Sequence, residues 1–282
     1  MTHEEERLWL IDYLKNRNPL YRKLSVPQSE QGQKDMLRIL MNVWSPSPLI
    51  SQFLEVQNAY LRRESILKGI IDERMLEPCA SDPRMYIWQG DITRIRADAI
   101  VNAANGSLLG CFYPLHGCID NAIHSAAGLE LRLACARIME RQDHDEPAGR
   151  ARITSGYCLP AKYVLHTVGP IVYGELTDEH RSLLRSSYHS CLELAEKNKL
   201  RSIVFCCIST GEFMFPAQEA AVIATDTVRS FLDRQSGRYS EIGSCLSGTE
   251  PYKGIEKVIF NVFRDRDRII YESLLGQTGS PE

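Results

Sequence analysis

The first part of the chain carries apolar positions at helical spacing. Leu8, Leu10, Ile11 and Leu14 mark one short amphipathic segment, and Met36, Leu37, Ile39, Leu40 and Val43 a second. A third begins near Leu49 and runs through Phe53, Leu54, Tyr60, Leu61, Ile66, Leu67, Ile70 and Ile71, with Pro46 and Pro48 separating it from the second. The stretch Glu77 to Pro83 reads as a linker, dividing a helical extension at 1–80 from a second unit at 81–282. Beyond it the pattern changes. Short apolar runs at Met85 to Trp88, Ala99 to Val101, Tyr163 to Leu165, Ile203 to Cys206 and Val258 to Val262 read as strands. Helical stretches lie between them at Asp120 to Arg141, Asp178 to Asn198, Gln218 to Asp233 and Asp267 to Leu275. Alternating strands and helices predict an α/β unit with a largely parallel sheet covered on both faces. Asp233 to Gly254, rich in Ser and Gly, reads as a long loop or lid.

Composition narrows the function classes. The 282 residues are 44% hydrophobic and 8% aromatic, enough for a sizeable core. A net charge of -3, with both signs intermixed, argues against a nucleic-acid binder driven by a basic surface. No apolar run reaches the length of a membrane span, and the acidic start Met-Thr-His-Glu-Glu-Glu-Arg is unlike a signal peptide. Nine cysteines without a framework spacing point to reduced thiols and a cytoplasmic protein.

The densest chemistry is the stretch Gly110-Cys111-Phe112-Tyr113-Pro114-Leu115-His116-Gly117-Cys118. Cys111, His116 and Cys118 are zinc-type ligands, and three of them leave a tetrahedral position open for water or substrate. Free cysteine is also often a small buried hydrophobe, so spacing alone leaves both readings standing. Three further segments each follow a predicted strand. Gly90-Asp91-Ile92-Thr93 places a carboxylate where it could accept from a purine amine. Val101-Asn102-Ala103-Ala104-Asn105 offers a donor and acceptor suited to sugar hydroxyls. Ser209-Thr210-Gly211-Glu212-Phe213, ahead of a helix, presents backbone N–H groups to a phosphate, although it is neither a Walker loop nor G-x-G-x-x-G. Each alone is also an ordinary turn. All three sit where open α/β sheets bind ligands.

Asp-Ala-Ile-Val-Asn-Ala-Ala-Asn at 98–105, Ile-Asp-Asn-Ala-Ile-His-Ser-Ala-Ala-Gly at 119–128, Val-Leu-His-Thr-Val-Gly-Pro at 164–170 and Ile-Ser-Thr-Gly-Glu-Phe at 208–213 resemble the macrodomain family over about residues 84–276. The resemblance implies a three-layer α/β/α fold with a mixed central sheet, and ADP-ribose as ligand. It places Asp91 and Ile92 at the adenine, Asn105 at the distal ribose, and Ser209 to Phe213 around the diphosphate. Cys118, Ile119 and Asp120 would line the ribose end, with Asp120 and Asn105 catalytic. Where hydrolytic macrodomains carry a glycine-rich loop, this chain carries Cys111, His116 and Cys118. That departure resembles the zinc-dependent members, which also have an N-terminal helical extension. One Zn²⁺ per chain is implied, with removal of mono-ADP-ribose from protein side chains. A lipoyl-carrier protein modified by a sirtuin-like transferase is an implied partner. The alternatives are a non-catalytic reader with a structural zinc, and an O-acetyl-ADP-ribose deacetylase. His124 and His166 are expected to be satisfied structural histidines. Cys206 and Cys207 are expected to pack in the core, and Cys135, Cys158 and Cys191 to have no ligand-type neighbours.

Overall fold

Thr2 opens the first helix by exchanging two hydrogen bonds with Glu5. The Glu5 N–H donates to the Thr2 hydroxyl at 3.2 Å and the Thr2 N–H to the Glu5 carboxylate at 2.7 Å. In the computed structural model, which describes residues 1–240 and 252–276, this helix is α1 (His3–Arg17). The Ser29 hydroxyl caps α2 (Glu30–Asn42), and α3 (Ser51–Leu67) completes the trio. Their apolar faces, with Leu10, Leu14, Leu37, Leu40, Phe53 and Tyr60, close into a core that Leu129 joins from the rest of the protein. Truncating a fully buried side chain there, as in Phe53→Ala, costs roughly 3–5 kcal/mol.

The third helix stops at Leu67, short of the expected Ile71, because β1 (Ile71–Asp72) leaves to pair with β4 (Ile95–Arg96). The expected linker is also partly strand. β2 (Pro78–Cys79) runs antiparallel to β3 (Asp82–Gln89), which starts inside it. There follow β5 (Ala99–Ala103), α4 (Ile119–Ala127), α5 (Leu129–Gln142), β6 (Ala151–Ser155), β7 (Tyr163–Thr167), α6 (Asp178–Lys197), β8 (Ser202–Phe205), α7 (Ala217–Ser240), β9 (Lys257–Val262) and α8 (Asp265–Leu275). The main sheet has the order β2-β3-β9-β8-β5-β7-β6. Its interior pairs are parallel and its two edge pairs antiparallel, so the sheet is mixed. α4 packs on β5 and α5 on β6, while α6, α7 and α8 pack in succession against one another and cover the sheet through β6, β7, β3 and β9. No helix among the described residues is long and apolar enough to cross a membrane.

Three further expectations are corrected. The single helix at 120–141 is two, because Gly128 takes φ 91° and ψ 171°. A Cβ there would come within 2.6 Å of the Gln57 amide, which also accepts the Leu129 N–H at 2.9 Å. The edge strand β6 was not expected, since Ala-Arg-Ile-Thr-Ser has no apolar run. The expected loop from Asp233 begins as helix through Ser240, and 241–251 lie outside the described residues.

Candidate active site around Asp120

β5 and the turn that follows it bring two asparagines to one carboxylate. Asn102 is buried, and its Nδ2 donates to Asp120 Oδ1 at 2.8 Å. Asn105 Nδ2 donates to Asp120 Oδ2 at 3.3 Å and to the Gly110 carbonyl at 3.2 Å. Its Oδ1 accepts from the Ser107 N–H at 3.1 Å and the Ser107 hydroxyl at 2.6 Å. The amide expected to face ribose hydroxyls is therefore engaged in shaping the loop and aiming Asp120. Asn102 went unrecognised in the sequence as a site residue, though it is the first asparagine of Asn-Ala-Ala-Asn.

Asp120 lies in the first turn of α4 without capping it. The cap is Cys118, whose Sγ accepts the Asn121 N–H at 3.4 Å. Burial pushes the Asp120 carboxyl up to about 6, against the opposing pull of the Asn102 hydrogen bond and the Arg132 charge. Behind it, His124 Nε2 lies 3.5 Å from Asp120 Oδ1. Neither ring nitrogen of His124 makes a hydrogen bond among the described residues, so it is not the satisfied histidine expected. Burial holds it neutral. Gly110, at φ 80°, lets the backbone pass this ring, since a Cβ there would sit 2.7 Å from Cγ.

His166 is satisfied. Its Nδ1 faces the Asn102 Nδ2 donor at 3.2 Å, which puts the ring proton on Nε2, 2.9 Å from Thr154 Oγ1 and 3.7 Å from Cys135 Sγ. Burial pushes its pKa down to about 4. Cys135 thus has ligand-type neighbours, contrary to expectation: the donor atoms of His124, Cys135 and His166 lie within 4.8 Å of one another. With both His166 nitrogens engaged, the group forms a polar pocket behind Asp120 rather than an open ligand set.

The loop before α4 brings the donor atoms of Cys111, His116 and Cys118 within 4.8 Å of one another. Cys111 Sγ faces His116 Nδ1 at 3.6 Å. Burial pushes the Cys118 thiol up to about 12, and Cys111 and Asp120 add to the rise. Two thiols and an imidazole beside a carboxylate are a donor set that a divalent cation with soft-ligand preference fits. The donor set, spacing and half-burial suit zinc.

The opposite wall is the loop after β8. Ser209 and Met214 adopt φ of 65° and 53°, and the Phe215 N–H donates to the Ser209 carbonyl at 2.9 Å. The N–H groups of Gly211, Glu212 and Phe213 donate to nothing among the described residues, which leaves three donors for an anion. Glu212 Oε1 lies 3.7 Å from His116 Nε2, so this loop meets the cysteine-histidine loop directly. Asp91 Oδ1 accepts from the Thr93 N–H at 3.0 Å and the Thr93 hydroxyl at 2.7 Å, leaving Oδ2 without a partner among the described residues. Ile92 is buried. A cleft of about 450 Å³ lies between Asp91, Thr93 and α4 on one side and Lys34, Arg38 and Glu64 of the extension on the other. Of the expected site residues only Asp91 lines it.

A model of the Macro domain family matches residues 101–224, from β5 into α7. A protein-ADP-ribose hydrolase of Treponema medium is 45% identical over 277 residues, covering 98% of this chain and 100% of that protein. The chain belongs to the Macro domain family. Its macrodomain fold is shared with a Trypanosoma brucei macrodomain solved in complex with ADP-ribose, at TM-score 0.61 and 32% identity, over 89% of this chain and 97% of that one. A probable bifunctional ADP-ribose hydrolase/ADP-ribosyltransferase of Fusarium oxysporum is 37% identical over 262 residues, covering 86% of this chain and 40% of that larger protein.

Proposed function

We propose that this macrodomain is a zinc-dependent protein-ADP-ribose hydrolase that removes mono-ADP-ribose from modified side chains. The observation that carries the reading is the meeting of a Cys-His-Cys ligand set with a buried carboxylate: Cys118 caps α4 and Asp120 lies in its first turn. The hydrolase named in Treponema medium and the ADP-ribose complex of the Trypanosoma brucei protein support the ligand and reaction class.

The residues divide the work. Asp91 would accept from the adenine amine through Oδ2, and Ile92 would belong to the same end of the site. The free N–H groups of Gly211, Glu212 and Phe213 receive the diphosphate and hold the distal ribose toward α4, which removes translational freedom from the reacting end. Asp120, aimed by Asn102 and Asn105, takes the proton from the water whose oxygen bonds to C1″; the C1″ bond to the side chain breaks with its electron pair leaving on the side chain, which takes up the proton that Asp120 removed. Its pushed-up pKa strengthens it as a base while leaving it ionised near neutrality. Cys111, His116 and Cys118 would hold zinc, which supplies Lewis acidity and lowers the pKa of water when bound. The Fusarium oxysporum relative named a probable bifunctional ADP-ribose hydrolase/ADP-ribosyltransferase supports pairing with an ADP-ribosyltransferase, which we take to be sirtuin-like. A lipoyl-carrier protein is the first substrate to test.

Incubating purified protein with a mono-ADP-ribosylated protein, with and without a chelator, is the deciding experiment. Release of free ADP-ribose that the chelator abolishes and zinc restores is expected. Tight ADP-ribose binding without release would make the chain a reader with a structural zinc. Turnover of O-acetyl-ADP-ribose alone would make it a deacetylase.

A further inference from the structure

The N-terminal extension reaches into the ligand loop. The Arg38 guanidinium on α2 lies against Asn121: Nε and Nη2 donate to its Oδ1 at 3.1 and 2.7 Å, and Nη2 donates to the His116 carbonyl at 3.1 Å. Asn121 in turn donates through Nδ2 to the carbonyls of Cys111 and Tyr113, at 3.4 and 3.0 Å. One turn along α2, Asn42 accepts the Leu115 N–H at 3.1 Å and donates to Ser125 Oγ at 3.0 Å. Two side chains of the extension, acting directly and through Asn121, thus secure the loop at Cys111, Tyr113, Leu115 and His116.

Leu115 gives this a physical purpose. It lies in a turn closed by the His116 N–H donating to the Tyr113 carbonyl at 3.2 Å, with Pro114 at the second position. Its φ is 55°, the left-handed region that glycine or asparagine usually fills in such a turn. A branched side chain stays there only when its surroundings hold it. The restraint comes from Asn42, which is 1% exposed. Released from it, the turn relaxes, and His116 moves with it relative to Cys111 and Cys118.

We infer that α2 is a positioning element of the metal site. Arg38, through Asn121, and Asn42, through Leu115, set the geometry in which Cys111, His116 and Cys118 converge beside Asp120. The inference deepens the zinc reading and rests on it for the metal measurement; the ordering of the loop is measured independently of metal.

The test uses the full-length protein with Arg38→Ala, Arg38→Lys, Asn42→Ala and Asn42→Asp. Lysine keeps the charge at 38 and loses the fork; aspartate keeps the acceptor for the Leu115 N–H. Zinc affinity, read by competition with a chromogenic chelator, should fall roughly 10–100-fold in Arg38→Ala and Asn42→Ala, the scale of losing a residue that orients a ligand. Arg38→Lys should also fall, and Asn42→Asp should stay nearest the wild type. In metal-stripped protein, hydrogen exchange across 111–118 should quicken in Asn42→Ala while α1 and α3 keep their protection. If Arg38→Ala unfolds, Arg38→Lys decides. Zinc affinity and loop exchange both unchanged in folded variants overturn the inference and leave α2 as packing. If the wild type binds no zinc, the zinc reading fails, and the loop-exchange comparison alone decides the role of α2.

Discussion

Asn102 donates from Nδ2 to Asp120 Oδ1 at 2.8 Å, from within a parallel strand to the first turn of a helix. The bond runs between two elements the core fixes rigidly, so the carboxylate is aimed before any substrate arrives. Asn105 adds a second donor to the other oxygen. With both oxygens accepting, Asp120 is held in the geometry of an ionised group, while burial favours the neutral one. That opposition makes its replacement the most informative single change.

Asp120→Asn presents one oxygen and one NH₂ to two donor amides, so one donor faces a donor. Turnover should fall by roughly two to four orders of magnitude, the scale of losing a general base. The mismatch should also cost about 1–3 kcal/mol of stability. Single-turnover release of ADP-ribose and thermal melting measure the two. Near-normal turnover would mean that another group takes the proton.

Purified wild-type protein should carry one zinc per chain by elemental analysis. Cys118→Ser should lose most of it and melt close to metal-stripped wild type, because serine replaces the cap that Cys118 gives α4. Full zinc content in the combined Cys111→Ala, His116→Ala and Cys118→Ala variant would contradict the ligand assignment.

Asp91→Ala should weaken ADP-ribose binding by about one to two decades, the cost of one hydrogen bond to a charged acceptor. Calorimetric titration checks it, and unchanged affinity in folded protein would move the adenine elsewhere.

His166 predicts an acid sensitivity. Its folded pKa of about 4 lies below the ordinary 6.5, so the unfolded chain takes up a proton that the folded one refuses. Its contribution is present above the ordinary value and is lost as pH falls, by about 2 kcal/mol between pH 7 and pH 5. Urea melts at the two pH values should show a smaller pH dependence in His166→Gln by about that amount. Asp120, whose raised pKa acts in the opposite sense, is common to both proteins and cancels in the comparison. Equal pH dependence would show that His166 is not the group responsible.

Much of this was legible in the sequence. The apolar runs marked the inner strands, and Cys111, His116 and Cys118 announced themselves by crowding into one loop. What was hidden depended on contacts distant in the chain. Arg38 and Asn121 are 83 positions apart, and no periodicity links them. The break at Gly128 follows from the Gln57 side chain pressing on it from α3, which a helical pattern does not record. β6 escaped because an edge strand needs no apolar run. Asn102 looked like half of a turn motif, since its partner His166 sits on a strand read only as buried.

Arg132 has a consequence for anyone who would shorten this protein. The side chain is 2% exposed, and its guanidinium is satisfied by the Met41, Asn42 and Trp44 carbonyls, at 2.9, 2.9 and 2.6 Å, and by that of Leu109 at 2.8 Å. Three of these four acceptors belong to the extension. A version trimmed to begin at the sheet would strip three of these four acceptors from the guanidinium and expose to water the apolar surface that α1, α2 and α3 share with Leu129. The trimmed protein should express poorly and aggregate, although every residue assigned to chemistry would still be present in it.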